Sequence, residues 1–383
     1  MFYLVLYALF FVVAVCNYYS FRKNEIALSN VLYYGCVFLL FIVGAFRFET
    51  GGDWPGYKLM YDELSGEPLF RTIIYIAHVF GHYQYIFVLT ELIRFAILIY
   101  IIDSQFKSAP QYKMLFVLLY YSMYFFYYDM VIVRQTTAAI VFAYGVFKNR
   151  NGNFKTYLFW AFLAAMFHFS ALMLLFMYYP LYRISNKKFT IFNYFIIACY
   201  FLGFDLFGTV IVSVLEWLPH VGLIYKLWAY TQIADLATAR NITGQSLVDL
   251  LSFFTISYLH IFKKRPMNSV VYNGVCLYMF FYIGLPAFST ISTRLSTFYS
   301  IFVIFAILEI IKAYRKLFFI PLGFVFLCFC FNKGIFFESS EKVAYNPYQF
   351  YFTYDIFGTK STGEVRLNQT RGINIRAMKK EGR

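Results

Sequence analysis

The sequence predicts an all-α fold, a polytopic bundle of about twelve transmembrane helices, and three features predict it. Hydrophobic residues make up 61% of the 383 and charged residues only 14%, against roughly 45–50% and 25% in soluble chains. Apolar runs near the ~20 residues needed to cross a bilayer core recur along almost the whole chain. Lysine and arginine gather in short clusters between alternate runs, the pattern of the positive-inside rule.

The runs are taken in order. Residues 2–20 are apolar and aromatic, without the basic start and small-residue cleavage site of a signal peptide, so they read as a retained first helix. Further spans follow at 29–46, 84–102, 112–130, 132–147, 154–167, 168–182, 190–212, 246–262, 270–288, 295–311 and 317–332. Only Phe167-His168 separates the short pair 154–167 and 168–182, and a single broken helix there would change the parity downstream. Leu69 to Phe80 is too short to span and is expected to lie in the interface or re-enter.

Arg22-Lys23, Lys107 with Lys113, Lys148-Asn149-Arg150 with Lys155, Arg183 with Lys187-Lys188, Lys263-Lys264-Arg265 and Lys312 with Arg315-Lys316 mark the cytoplasmic connections. The N-terminus, the connections 47–83 and 213–245 and the short junctions near Arg134, His168 and Arg294 then lie outside. Residues 1–332 read as one transmembrane domain and 333–383 as a tail with an aromatic segment and a basic end. Twelve spans put that tail outside, whereas its basic end argues for inside.

The net charge of +14 lies in clusters between apolar runs rather than on one solvated face, which argues against nucleic acid as a partner. Cys16, Cys36, Cys199, Cys276, Cys328 and Cys330 fall within apolar segments, where a thiol acts as a small hydrophobe. Neither a disulfide nor a metal site is expected. His78 and His82 have i, i+4 spacing but lack the surrounding zinc-binding pattern. Repeats of 20–50 residues are not visible either.

Polar residues inside or beside a span are costly, so their clustering is informative. Arg47, Thr50, Gly51, Gly52, Asp53 and Tyr57 leave the second helix on the outer side. Adjacent glycines allow close backbone approach, and a guanidinium offers a forked donor to phosphate or carboxylate. The alternative is a helix-end turn with Arg47 snorkelling to headgroups. Arg134 with Gln135 opens the fifth span, Arg240 sits in the second outer loop, and Arg294 lies in Ser292-Thr293-Arg294. Arg134 could instead snorkel or pair with Asp129. Four arginines on the face where the topology rule disfavours cations imply an anionic ligand.

His168, in Phe167-His168-Phe169-Ser170, stands between two apolar spans. Imidazole exchanges protons near neutral pH and can serve as a general base, or it can simply be a structural group bonded to a carbonyl. Glu91 and Arg94 share a helix face and are expected to neutralise each other. Asp249 is a possible orienting partner for Arg240.

Together these residues resemble the EpsG family, related to the Wzy-type polymerases of O-antigen and of capsular or exopolysaccharide. The resemblance rests on Arg47-Phe-Glu-Thr-Gly-Gly-Asp53 with Tyr57, Val133-Arg134-Gln135 followed by small residues, His168-Phe-Ser170-Ala171, Arg294, and Tyr345-Asn-Pro-Tyr348. Gly52 stands where many relatives carry threonine. The resemblance implies a cofactor-free, metal-independent membrane glycosyltransferase of the bacterial cytoplasmic (inner) membrane, facing the periplasm or exterior. It would act in the biosynthesis of lipopolysaccharide or a related glycan. The expected partners are an undecaprenyl-diphosphate-linked donor and acceptor, membrane lipids, and a chain-length regulator protein.

On that basis Arg47, Arg134, Arg240 and Arg294 are expected at the diphosphate or sugar, with Thr50, Gly51, Gly52, Tyr57, Gln135 and Ser170 lining the substrate. His168 is the candidate base and Asp53 its alternative. The competing classes are a lipid-linked oligosaccharide flippase or transporter, and another membrane glycosyltransferase, acyltransferase or ligase. A flippase would place polar groups near the midplane, often in repeats.

Overall fold

The computed structural model describes residues 2–22, 26–107, 109–207, 244–264, 267–285, 288–314, 340–345, 347–358 and 360–369, with 213, 217, 323 and 326. These residues are helical, as the composition predicts, and the only β feature among them is an isolated bridge between Arg47 and Phe350. The predicted span 317–332 and Arg240 lie outside the described residues or nearly so.

The chain divides into two compact units. The first comprises Met1–Tyr144, Met166–His168 and Phe319–Arg383; the second comprises Gly145–Ala165 and Phe169–Phe318.

In the first unit α1 (Phe2–Arg22), α2 (Ile26–Ala45) and α5 (Gln84–Gln105) are the long elements. Between them lie α3 (Trp54–Glu63) and α4 (Pro68–Val79), each with proline in its first turn, where the missing N–H costs nothing. The segment expected to lie in the interface or re-enter is thus a helix in its own right. It turns Phe70 and Ile74 inward and leaves Val79 exposed. Asn17 joins α1 to α2 by donating to the Ser29 carbonyl at 2.6 Å and accepting from the Ser29 hydroxyl at 2.8 Å.

The predicted span 112–130 is continuous but irregular. A 3₁₀ turn, Pro110–Tyr112, leads into α6 (Lys113–Tyr120), a π turn at Tyr121–Phe125, and α7 (Phe126–Met130). The chain breaks at Val131-Ile132, and α8 (Val133–Lys148) begins. Beneath that break lies a buried ion cluster. Arg94 pairs with Glu91 and, at 3.0 Å, with Asp129, which also accepts from the Tyr120 hydroxyl at 2.7 Å. Asp129 is therefore taken by Arg94, not by Arg134. Gly44 of α2 is the position that admits the Glu91 carboxylate, because a Cβ there would overlap it.

In the second unit the pair 154–167 and 168–182 does not form two spans. α9 (Phe154–Ala165) folds back through a 3₁₀ helix, Phe169–Phe176, into the short α10 (Tyr178–Tyr182). The Tyr157 hydroxyl ties the two arms by donating to the Leu174 carbonyl at 2.5 Å. α11 (Asn186–Phe201) is capped by Ser185. Then come α12 (Gly244–Ser257) with a π turn at Tyr258–Phe262, and α13 (Ser269–Gly284) capped by Asn268. α14 (Ser289–Thr297) and α15 (Ser300–Ala313) follow. Asp249 accepts from the Tyr278 hydroxyl at 2.7 Å.

Two helices, Ile26–Ala45 and Gln84–Gln105, are long and apolar enough to cross a membrane among the described residues. The pair Ile291–Thr297 and Ser300–Ala313, bent by 61°, adds a third if it is one span. Among the described residues the other apolar stretches, such as Phe154–Ala165, Ser246–Phe262 and Ser269–Gly284, are shorter, and the count of twelve is not established. Large apolar side chains nevertheless face outward along the helices of both units, among them Val31, Phe38, Leu92, Ile191 and Phe195. Contiguous apolar surface of this kind suits a lipid environment.

Candidate functional site

Two clusters of the first unit contain most of the predicted residues, and both are seated on the break at Met130-Val131-Ile132.

The first is the loop from Phe46 to Asp53. Arg47 is only 1% exposed. Its Nη1 donates to the carbonyls of Thr50 at 3.0 Å and Met130 at 2.7 Å, and its guanidinium carbon lies 4.2 Å from the centre of the Phe87 ring. Nε and Nη2 are buried with no hydrogen-bond partner among the described residues. Thr50 is buried as well, its hydroxyl donating to the Phe48 carbonyl. Asp53 stands exposed at the N-cap of α3.

The adjacent glycines differ. Gly51 has φ +95°, and a Cβ there would overlap the Met130 carbonyl oxygen, while Gly52 has open space. Gly51→Ala is therefore expected to destabilise the protein by roughly 1–3 kcal/mol through strain at a left-handed position, and Gly52→Ala by under about 0.5 kcal/mol. Thermal unfolding of both variants in detergent tests this, and equal midpoints would contradict it.

The described part of the tail closes over this loop, so it lies at the same end of the unit as Arg47. The Phe48 N–H donates to the Gln349 carbonyl, the Tyr351 N–H to the Phe46 carbonyl and the Gly51 N–H to the Ala344 carbonyl. Tyr348 donates to the Val43 carbonyl at 3.0 Å, and Tyr345 accepts at its carbonyl from Tyr3 at 3.0 Å. Arg366 donates to the carbonyls of Glu49, Ala344 and Pro347. Burial pulls its guanidinium below the ordinary pKa, with Tyr3, Tyr354 and Glu49 acting the other way.

The second cluster centres on a residue that sequence reasoning missed, Glu67. Its carboxylate is 5% exposed and faces two of the predicted residues at once. Oε2 accepts from Arg134 Nη1 at 2.7 Å, and Oε1 lies 3.6 Å from His168 Nδ1, within ion-pairing range. Glu67 sits immediately before Pro68, at the N-cap of α4. The Leu69 N–H donates to the Met166 carbonyl at 3.0 Å, which brings the start of α4 beside the chain that carries His168.

Tyr57 links the second cluster to the break. Its hydroxyl donates to the Val131 carbonyl at 3.1 Å and accepts the Arg134 N–H at 3.4 Å. The Arg134 guanidinium also lies 5.7 Å from the centre of the Phe70 ring, and its side chain is 23% exposed, that of His168 14%. Gln135 is buried behind Arg134.

Two further predicted residues belong to the second unit: Ser170, half-buried at the start of the 3₁₀ helix, and Arg294, half-buried on α14. His78 and His82 have separate partners. His78 stacks on Tyr61 and sits 2.7 Å from its carbonyl, and His82 Nδ1 accepts from the Gln84 N–H. The one sequence signal for Glu67 was its place before a proline that opens an amphipathic helix.

Chemically, the second cluster offers a cation, an imidazole and a buried carboxylate that bonds to the first and lies beside the second. An imidazole in this setting can exchange a proton with a bound hydroxyl, and the carboxylate beside it balances the charge the ring then carries.

No curated protein and no solved structure matches the chain. The model of the EpsG family matches residues 30–350. That span contains Arg47, Glu67, Arg134 and His168, whereas Arg366 lies beyond it. With most of its length covered, the chain belongs to the EpsG family, a family of Wzy-like polymerases.

Proposed function

We propose that this protein is a polysaccharide polymerase that moves a glycan from a polyprenyl-diphosphate carrier to the non-reducing end of another carrier-linked repeat unit, at the outer face of the cytoplasmic membrane. The observation that carries the reading is the bridging of Arg134 and His168 by the buried Glu67 carboxylate.

In this reaction an acceptor hydroxyl oxygen attacks the anomeric carbon of the donor. The bond from that carbon to the diphosphate oxygen breaks, and its electron pair leaves with the diphosphate. His168 takes the hydroxyl proton, and the Glu67 carboxylate 3.6 Å from its Nδ1 balances the charge that the ring then carries. Arg134 uses one amino group on Glu67 and presents the rest of its fork to the diphosphate, whose negative charge grows as the bond breaks. Tyr57 and the Val131 carbonyl fix the start of α8, and so the direction from which Arg134 reaches.

In this reading Arg47 has a supporting role. Buried between Met130, Thr50 and Phe87, it shapes the loop rather than meeting the lipid directly. Asp53 is proposed as a solvated polar group at the loop's edge. The chemistry requires no metal.

The test is reconstitution of the purified protein in proteoliposomes with a polyprenyl-diphosphate-linked repeat unit, followed by gel analysis. A ladder that persists in EDTA is expected. His168→Ala should slow its formation by roughly a hundred- to ten-thousandfold, the usual cost of losing a positioned base. Glu67→Gln should also slow it, because a neutral amide no longer pairs with Arg134 or balances charge on His168. Transport of the lipid without any ladder would overturn the proposal in favour of a flippase.

A further inference from the structure

The second unit has a groove that the reaction above does not use. Its volume is about 690 Å³, and it lies where α10 and α11 meet α13. The walls are apolar and largely aromatic, including Phe189, Phe192, Leu277 and Phe280. Phe192 and Phe280 face each other with ring centres 5.9 Å apart. Arg183 and Lys188 line it too, and none of its lining residues is acidic.

Both cations are exposed. Arg183 is held in place by the Tyr178 hydroxyl, to which its Nη2 donates at 3.1 Å. The Ser185 cap that starts α11 accepts from the Lys188 backbone N–H and so fixes the direction in which the helix leaves the turn. Arg183 and Lys188 belong to the charge cluster that the positive-inside pattern puts at the cytoplasmic surface.

We infer that this groove binds one anionic phospholipid of the cytoplasmic leaflet, its phosphate at Arg183 and Lys188 and an acyl chain along Phe189, Phe192, Leu277 and Phe280. The charge argues for this occupant over a zwitterionic lipid. Two cations with no acid among the described lining residues favour net negative charge, and basic pockets between transmembrane helices on the cytoplasmic side commonly receive anionic headgroups. The apolar wall argues for a lipid over a free anion, since inorganic phosphate would leave the exposed rings of Phe192 and Tyr179 and the half-buried Phe280 uncovered. This inference does not depend on the polymerase reading, and its test uses no glycan.

The full-length protein, purified in detergent, is mixed with equal amounts of dioleoylphosphatidylglycerol and dioleoylphosphatidylcholine, and retained lipid is read by native mass spectrometry. Phosphatidylglycerol is expected in excess by up to roughly thirtyfold, the factor that two surface cations supply at about 1 kcal/mol each. The double variant Arg183→Ala, Lys188→Ala should retain both lipids equally, whereas Lys187→Ala, a neighbouring cation outside the groove, should keep the preference. Phe192→Ala should weaken retention of both lipids without changing their ratio.

If the double alanine variant does not fold, Arg183→Gln with Lys188→Gln is measured in its place, with the same expectation. Equal retention of the two lipids by the unmodified protein, or an unchanged preference in the double variant, would overturn the inference. So would displacement of the lipid by millimolar inorganic phosphate, which would mark a simple anion site.

Discussion

Arg134→Ala is expected to leave the protein inserted and folded while reducing polymer formation by roughly a hundred- to a thousandfold, the cost of removing one preorganised donor from a developing anion. Single repeat units on the lipid carrier should accumulate in the reconstituted assay. Because Arg134 is paired with a nearly buried carboxylate, its loss also leaves Glu67 facing an empty space, and part of any defect could be structural. A double variant separates the two. Arg134→Met with Glu67→Gln removes both charges, and it should recover thermal stability without recovering the ladder. Arg134→Lys should recover only part of the activity, since an ammonium keeps the charge but cannot hold Glu67 and a phosphate with one rigid fork. Near-normal ladders from Arg134→Ala would remove the diphosphate from this end of α8.

Arg94→Ala is expected to be the most destabilising single change, by about 3–5 kcal/mol, because it strands charge in the interior. Glu91, Arg94 and Asp129 all have fully buried side chains, and the one guanidinium serves both carboxylates. Without it two carboxylates remain with no cation between them. The neutral triple variant Glu91→Gln, Arg94→Met, Asp129→Asn should lie close to the unmodified protein, since replacing a buried ionic group as a whole costs far less than breaking it. Thermal unfolding in detergent distinguishes these outcomes, and a small midpoint shift for Arg94→Ala alone would show that the cluster is wetter than its burial indicates. Asp129 adjoins Met130 and Val131, whose carbonyls hold Arg47 and Tyr57. Loosening the cluster should therefore also disturb the site above it.

The contrast between Arg47 and Glu67 shows what a linear reading can reach. Arg47 stood out because a guanidinium beside two glycines at a span end is an unusual combination, and the structure gives it a dense set of partners. Those partners are mostly backbone carbonyls, which every residue carries and no sequence pattern reveals. Glu67 was passed over because one acid in a polar outer loop looks ordinary. Its importance comes from two residues about 70 and 100 positions further along the chain, Arg134 and His168. Likewise, the spacing of Glu91 and Arg94 makes them legible as a pair, while Asp129, which completes the cluster, is 35 positions from Arg94 and by sequence alone suggests only a pair with the nearer Arg134. His168 was placed between two spans, and the hairpin 154–182 shows that the boundary is a tight reversal of short helices.

By itself, the sequence determined that this is a helical protein suited to lipid, which of its polar residues are exceptional, and through their order the family to which it belongs. These are matters of composition and local spacing, and burial of apolar side chains depends on little else. The tertiary structure decided which charges meet: that Glu67 joins Arg134 to His168, that Arg94 takes Asp129, and that the tail seals the Arg47 loop. Charge pairing and hydrogen bonding act over a few ångströms in space whatever the separation along the chain, so only the folded arrangement could specify them.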